Sequence, residues 1–163
     1  IAAALGANPI AIDISEEKLD FAKKMGAVAA INAREVTDVA EAVREITGGG
    51  AHASIDALGS PVTCFNSIKN LRRRGRHVQV GLMLADHATP QIPMAQVIGH
   101  ELEIYGSHGM QAWRYDAMLA MIAIGKLNPQ KLIGRHVSLE EAIPVLTTMD
   151  TATDLGISVI TRF

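Results

Sequence analysis

The feature that most constrains the fold is an alternation of short apolar segments with longer amphipathic ones. Apolar runs at residues 10–14, 27–31 and 54–58 have the length and composition of buried strands. The segments at 16–25 and 36–47 carry apolar side chains at helical spacing. Strands that alternate with helices favour a parallel sheet with helices on both faces. Because crossovers are right-handed, the sequence predicts an α/β fold of doubly wound, Rossmann-like topology.

The alternation does not continue to the end of the chain. Residues 126–163 combine a connector containing Pro129, a short apolar run, a helical segment containing Pro144 and a final apolar run. We therefore predict a division into residues 1–125, the Rossmann-like domain, and residues 126–163, a segment that returns to a different, catalytic domain.

Asp13 is the most informative single residue, because it closes the first apolar run and precedes a capped helix. In doubly wound nucleotide-binding folds, an acid at the end of the second strand hydrogen-bonds the adenosine ribose. It lies about 20 residues beyond the glycine-rich phosphate loop. Counting back from Asp13 runs off the start of the chain. We expect the chain to begin inside the first crossover helix, so that the sheet lacks its first strand and the phosphate loop.

Composition excludes several other classes of function. A net charge of -2 gives no attraction to nucleic acid or to an anionic membrane, and no apolar run approaches the roughly 18 residues of a membrane span. Cys64 is the only cysteine, which excludes an internal disulfide or a multi-cysteine zinc site and indicates a cytoplasmic setting. The six histidines are scattered, so we expect no metal site among these residues.

A set of short motifs in a fixed order carries a family resemblance. The motifs are SEEKL at 15–19, KKMGA at 23–27, GGG at 48–50, DALG at 56–59, VQVG at 78–81, GKL at 125–127 and SLEEA at 138–142. Their order resembles the C-terminal, coenzyme-binding portion of the zinc-type alcohol dehydrogenases, which are medium-chain dehydrogenases. The resemblance extends over essentially the whole chain.

The resemblance implies a chemistry. In this family a zinc ion polarises the oxygen of a small alcohol or polyol, and hydride passes to the nicotinamide of NAD. The zinc ligands lie in an N-terminal part that has no counterpart here, so we expect this chain alone to be inactive. A carboxylate at Asp13 with no arginine close behind it also favours NAD over NADP, because it repels a 2′-phosphate.

The family's cofactor contacts can be transferred to matching positions. Near the first strand, Asp13 is expected to accept hydrogen bonds from the ribose hydroxyls, Ile14 to border the adenosine site, and Lys18 to reach the same ribose. After the later strands, the resemblance places two dipeptides against the adenine-ribose and nicotinamide crevice: Leu58 with Gly59, and Gly81 with Leu82.

Three alternatives remain open on the sequence. A zinc-free quinone or enoyl reductase of the same superfamily shares this domain, although such relatives generally prefer NADP. A nucleotide-binding module without turnover is a second alternative. The third concerns assembly: a strand from Leu102 to Tyr105 is expected at a sheet edge, where it would pair subunits into a homodimer or tetramer.

Overall fold

The computed structural model describes residues 1–149 and 155–163. Within them the strands are β1 Ile10–Asp13, β2 Ala29–Asn32, β3 Ala51–Asp56, β4 Leu71–Gln79, β5 Glu103–Gly106, β6 Ile133–Ser138 and β7 Ile157–Arg162. The helices are α1 Glu16–Lys24, α2 Val39–Thr47, α3 Pro61–Lys69, α4 Met94–Gly99, α5 Tyr115–Ala123 and α6 Leu139–Thr147. None of the helices in these described ranges is long and apolar enough to cross a membrane.

The strands form three separate sheets. One contains β1 and β2, the second has the order β3-β4-β5, and the third contains β6 and β7. The β3–β4, β4–β5 and β6–β7 pairs are all parallel. The predicted α/β class with a parallel Rossmann-like arrangement is therefore confirmed.

The chain divides into two compact units, and neither coincides with a continuous stretch of sequence. Unit 1 comprises residues 1–11, 15–30 and 110–163, and unit 2 comprises residues 12–14 and 31–109. The predicted division of the whole protein after residue 125 stays a prediction.

Each unit has its own buried apolar side chains. In unit 2 the core combines Val43 of α2, Ile68 of α3 and Leu71 of β4, all at 2% exposure or less. In unit 1 the buried side chains are Leu19 of α1 and Val137 of β6. The amphipathic pattern of α2 is confirmed at Val39, Ala40 and Val43, which are buried, but not at Ile46, which is exposed. Most of the described hydrophobic burial lies in unit 2.

Side-chain caps set where several helices begin. The carboxylate of Asp38 accepts from the amides of Ala40 and Glu41 at 2.8 and 3.2 Å, so α2 begins at Val39 and not at residue 36 as predicted. Ser60 forms a reciprocal capping box with Thr63 at the start of α3. An N-cap acceptor satisfies amides that the helix itself leaves without a partner, which fixes the first turn.

In the sequence, the helical spacing of apolar residues over 62–73 and the arginines at 72–74 predict a helix that extends to Arg73, and this prediction is wrong. The helix ends at Lys69, and β4 begins at Leu71, so the three arginines at 72–74 lie on a strand and not at a helix C-terminus. The cause is a non-local contact: the amide of Ala51 donates to the carbonyl of Asn70 at 2.9 Å and pairs the start of β3 with the start of β4. Arg74 then takes a positive φ of 58°, which turns the chain before it pairs again.

Candidate cofactor site

The first predicted contacts lie at the carboxyl end of β1. Asp13 is the last residue of that strand, and its carboxylate accepts from the amide of Ile14 at 2.7 Å. Its main-chain carbonyl accepts from the amide of Ala33 at 2.9 Å, just beyond the end of β2. The side chain of Ile14 is exposed. In parallel α/β sheets, ligands bind outside the carboxyl ends of the strands, and Asp13 and Ile14 stand at such an end.

Lys18 lies in the first turn of α1, within unit 1. Its amide donates to the side-chain oxygen of Ser15, the N-cap, at 3.4 Å, and its side chain is exposed. The local structure therefore explains where the backbone of Lys18 lies. It assigns no role to the ammonium group.

The four remaining predicted residues form two turns that touch each other. Leu58 and Gly59 follow β3, while Gly81 and Leu82 follow β4. Gly59 has φ +84°, and a Cβ built on it would overlap the carbonyl oxygen of Leu82. A Cβ built on Gly81 would overlap the amide nitrogen of Gly59. The structure brings these four residues together, and glycine is required at both positions because the backbones meet there.

Asp56, at the end of β3, joins the two turns. Its Oδ1 accepts from the amides of Leu58 and Gly59 at 3.0 and 3.2 Å. Its main-chain carbonyl accepts from the amides of Val80 and Gly81 at 2.9 and 2.8 Å. One buried residue thus fixes both turns through four backbone donors.

The charge of Asp56 is maintained by its hydrogen bonds. Burial alone would raise the pKa of this carboxyl group, because it disfavours the ionised form. Hydrogen bonds from the side-chain amide of Gln79 and from the amides of Gly59 and Leu58 outweigh burial and hold the pKa below its usual range. The residue is therefore a carboxylate at neutral pH, with Oδ1 bonded to the first turn and Oδ2 bonded to the side chain of Gln79.

Sequence reasoning missed Asp56 and Gln79 as residues of this region. A signal for Asp56 was present in the sequence. An aspartate at the end of a strand, three residues before a glycine, is typical of an Asx turn, in which its side chain accepts from backbone amides two and three residues later. For Gln79 the only signal was its place in the strand, two residues after His77 and thus on the same face. The Nε2 atom of Gln79 donates to Oδ2 of Asp56 at 2.8 Å and to the carbonyl of Gly81 at 2.9 Å.

The turns offer a surface for binding and little chemistry. The side chains of Leu58 and Leu82 are 73% and 58% exposed beside the buried polar residues. Exposed apolar side chains on a rigid turn suit the flat face of a base or a nicotinamide ring. Among residues 1–149 and 155–163, no group of three histidine, cysteine or acidic side chains is placed to hold a metal ion.

The comparisons with known proteins give the class. A model of the family described as zinc-binding dehydrogenase matches residues 1–124, which is more than half of the chain. The chain therefore belongs to the zinc-binding dehydrogenase family, and the resemblance predicted from its motifs is confirmed.

Particular relatives are more specific. The chain is 33% identical over 147 residues to D-xylulose reductase A of Aspergillus niger, covering 87% of this chain and 40% of that protein. It is 30% identical over 137 residues to a zinc-type alcohol dehydrogenase-like protein of Haemophilus influenzae, covering 83% of this chain and 39% of that one. Alcohol dehydrogenase TADH from Thermus sp. ATN1 superposes with a TM-score of 0.85 at 29% identity, covering 98% of this chain and 46% of that chain. The chain thus spans less than half the length of these relatives.

Proposed function

We propose that this chain supplies the NAD-binding part of an oxidoreductase that transfers hydride between NAD and a small alcohol or polyol. The observation that carries the proposal is Asp13, an acid at the carboxyl end of β1 in a chain of the zinc-binding dehydrogenase family. A carboxylate at this position accepts hydrogen bonds from the two ribose hydroxyls, and it repels the 2′-phosphate of NADP.

The proposed cofactor contacts are the seven residues predicted from the sequence. Near β1, an acid and the residue after it contact the adenosine ribose, and a lysine on α1 reaches the same ribose. After β3 and β4, two exposed leucines contact the faces of the adenine and nicotinamide rings, because the neighbouring glycines keep the backbone close-packed. The residues are Asp13, Ile14, Lys18, Leu58, Gly59, Gly81 and Leu82.

The proposals on the substrate and the metal concern the protein to which this chain contributes. The names of the relatives, a D-xylulose reductase and alcohol dehydrogenases, support a small alcohol or polyol. We propose that zinc is held by a part of the protein outside this chain, where it would polarise the alcohol oxygen. The role that we propose for the residues of this chain is to bind and orient NAD. Residues 126–163 are proposed to belong to the catalytic domain, and this chain alone is expected to lack turnover.

The proposal is tested by measuring cofactor binding in a variant of Asp13 and in a matched control variant. Asp13→Asn keeps an acceptor for the amide of Ile14 but removes the charge, and charged hydrogen bonds contribute about 1.5–3 kcal/mol. We expect NADH affinity to fall about 10- to 100-fold, and the ratio of NADH affinity to NADPH affinity to decrease. Asp20→Asn makes the same substitution at an exposed position of α1, where the carboxylate pairs with Lys23, and should leave NADH affinity unchanged. Titration of NADH fluorescence measures all three proteins.

The contrary outcomes point to the alternatives. A wild-type chain that prefers NADPH would favour the zinc-free quinone or enoyl reductase, because those relatives use NADP. Equal NADH affinity in Asp13→Asn and Asp20→Asn would refute the ribose contact. If the whole protein binds NADH but holds no zinc and oxidises no alcohol, the non-catalytic nucleotide-binding module is supported instead.

We further propose that the protein is a cytoplasmic homo-oligomer, a dimer or tetramer. The strand β5 is last in the order β3-β4-β5, and Ile104 and Tyr105 on it are exposed. An unpaired strand edge with apolar side chains favours pairing with a second copy. Sedimentation of the wild type and of Ile104→Asp tests this proposal. The variant should sediment as a smaller species than the wild type. A wild type that is already monomeric, or a variant that sediments like the wild type, would contradict the proposal. The cytoplasmic location is supported by the single buried thiol of Cys64.

A further inference from the structure

His77 is the most deeply buried polar side chain in the described part of unit 2. It lies on β4 with no exposed surface. Its Nδ1 atom is 3.2 Å from the hydroxyl of Ser54 on β3 and 3.1 Å from the hydroxyl of Ser67 on α3. Its Nε2 atom is 3.2 Å from Oε1 of Gln79. A buried imidazole is costly unless its two nitrogens are satisfied, and here both have partners.

The directions of these hydrogen bonds follow from the partners. Gln79 faces two groups that can only accept, the carboxylate of Asp56 and the carbonyl of Gly81, so its amide nitrogen points toward them. Its oxygen is then turned to His77 and needs a donor. Nε2 of His77 therefore carries hydrogen, and Nδ1 accepts from a serine hydroxyl. Burial lowers the pKa of His77, against the opposing effects of the Gln79 bond and the Asp56 charge, which agrees with a neutral ring.

We propose that His77 is a positioning residue of the cofactor crevice, acting through Gln79 and Asp56 on the two turns that follow β3 and β4. The proposal rests on the proposed role of those turns in binding NAD. Its mechanism is to satisfy the oxygen of Gln79, whose amide nitrogen is held by Asp56 and by the carbonyl of Gly81. If Gln79 lost the donor at its oxygen, a buried acceptor would be left without a partner. The side chain would then shift toward another donor, which would weaken its links to Asp56 and to the carbonyl of Gly81.

Two isosteric substitutions separate this role from simple packing. His77→Gln places an amide nitrogen near the former Nε2 position and keeps a donor for Gln79. His77→Asn places its amide near the former Nδ1 position, beside the serines, and leaves Gln79 without a donor. Ile68→Val, a buried position of α3 outside the polar network, serves as the control for lost stability.

The first measurement needs no cofactor. In ¹⁵N spectra of the wild-type chain, His77 should show a protonated Nε2 and an unprotonated Nδ1. The amide signals of Gly59 and Gly81 should move in His77→Asn and stay near their wild-type positions in His77→Gln and Ile68→Val. The opposite tautomer, or equal movement in all three variants, would overturn the proposed link from His77 through Gln79 to the turns.

The second measurement is NADH affinity by fluorescence titration. We expect His77→Asn to weaken NADH binding about tenfold, and His77→Gln and Ile68→Val to stay within about twofold of the wild type. Equal affinity in His77→Asn and His77→Gln would refute a positioning role. If the wild type itself binds no NADH, the proposed function fails, while the amide signals still decide whether His77 sets the turns. Should His77→Asn not fold, Gln79→Met removes the same link and is read in the same way.

Discussion

The contact between the two glycine turns gives a sharp prediction about stability. Gly59 has φ +84°, and a Cβ on it would overlap the carbonyl oxygen of Leu82 and lie 2.8 Å from the carbonyl carbon of Gly81. Gly48, which ends α2, has a similar φ of +63° but no atom within 4 Å of its built Cβ. The two positions share the backbone cost of alanine and differ in steric overlap.

The magnitudes follow from these two contributions. A left-handed φ costs an alanine roughly 1–2 kcal/mol, which is the whole loss expected for Gly48→Ala. Overpacking against a backbone that cannot move away adds about 1–3 kcal/mol, so Gly59→Ala should lose about 2–5 kcal/mol. Gly81→Ala has the overlap without a positive φ and should fall between them, near 1–3 kcal/mol.

Urea unfolding followed by far-UV circular dichroism measures the three variants, because this signal follows the backbone and does not depend on the single, exposed tryptophan, Trp113. With a slope of about 2 kcal/mol per molar urea, the midpoint of Gly59→Ala should lie about 0.5–1.5 M below that of Gly48→Ala. Equal midpoints for these two variants would refute the reasoning, because they would show that the turns do not meet as described.

Three further predictions concern unit 2. Asp38→Ala removes the cap of α2 and should cost about 1–2 kcal/mol, whereas Asp38→Asn, which keeps the cap, should cost less in the same urea assay. The pKa of His77 is lower in the folded chain than in the unfolded chain. As the pH falls, the unfolded chain therefore binds a proton at His77 before the folded chain does. Stability should then fall as pH drops below about 6.5, and His77→Gln should flatten that dependence. The pKa of Asp56 is also lowered, which adds a second loss below about pH 4 in the wild type. Ile68→Ala should cost about 2–5 kcal/mol, against less than about 0.5 kcal/mol for the exposed Val62→Ala.

Local sequence signals were enough to predict most of the elements. Alternating apolar and amphipathic segments gave the α/β class, and Ser15 and Ser138 mark helix starts that the structure confirms as side-chain caps. These signals succeed because a cap and its helix lie within four residues of each other.

The prediction failed where a boundary depends on a distant segment. Residues 70–74 contain no glycine or proline, and arginine is a good helix former, so the sequence alone continues α3 through them. The strand forms instead because Asn70 and Leu71 pair with Ala51, about twenty residues earlier. Pairing at that distance overrides local propensity and leaves no local trace.

For the candidate site, the sequence predicted the residues but not the contacts between them. The motifs DALG and VQVG identified Leu58, Gly59, Gly81 and Leu82 as residues at strand ends, and the structure brings them together. Their direct contact could not be foreseen, because it depends on the register that sets Asp56 opposite Gln79. The residues beneath the turns were missed for the same reason: a buried polar side chain is distinguished by its partners, which come from another strand.

The contact between the turns also changes which observation argues for a cofactor. A glycine at the carboxyl end of a parallel strand is commonly interpreted as room for a ligand to approach the backbone. Here Gly59 and Gly81 are required by each other, whether or not a ligand binds. Their presence therefore adds little to the case for NAD, which depends on Asp13 and on the family. What the glycines do add is rigidity, because close-packed turns held by Asp56 would present Leu58 and Leu82 in one fixed position, and a preorganised surface loses less entropy when it binds.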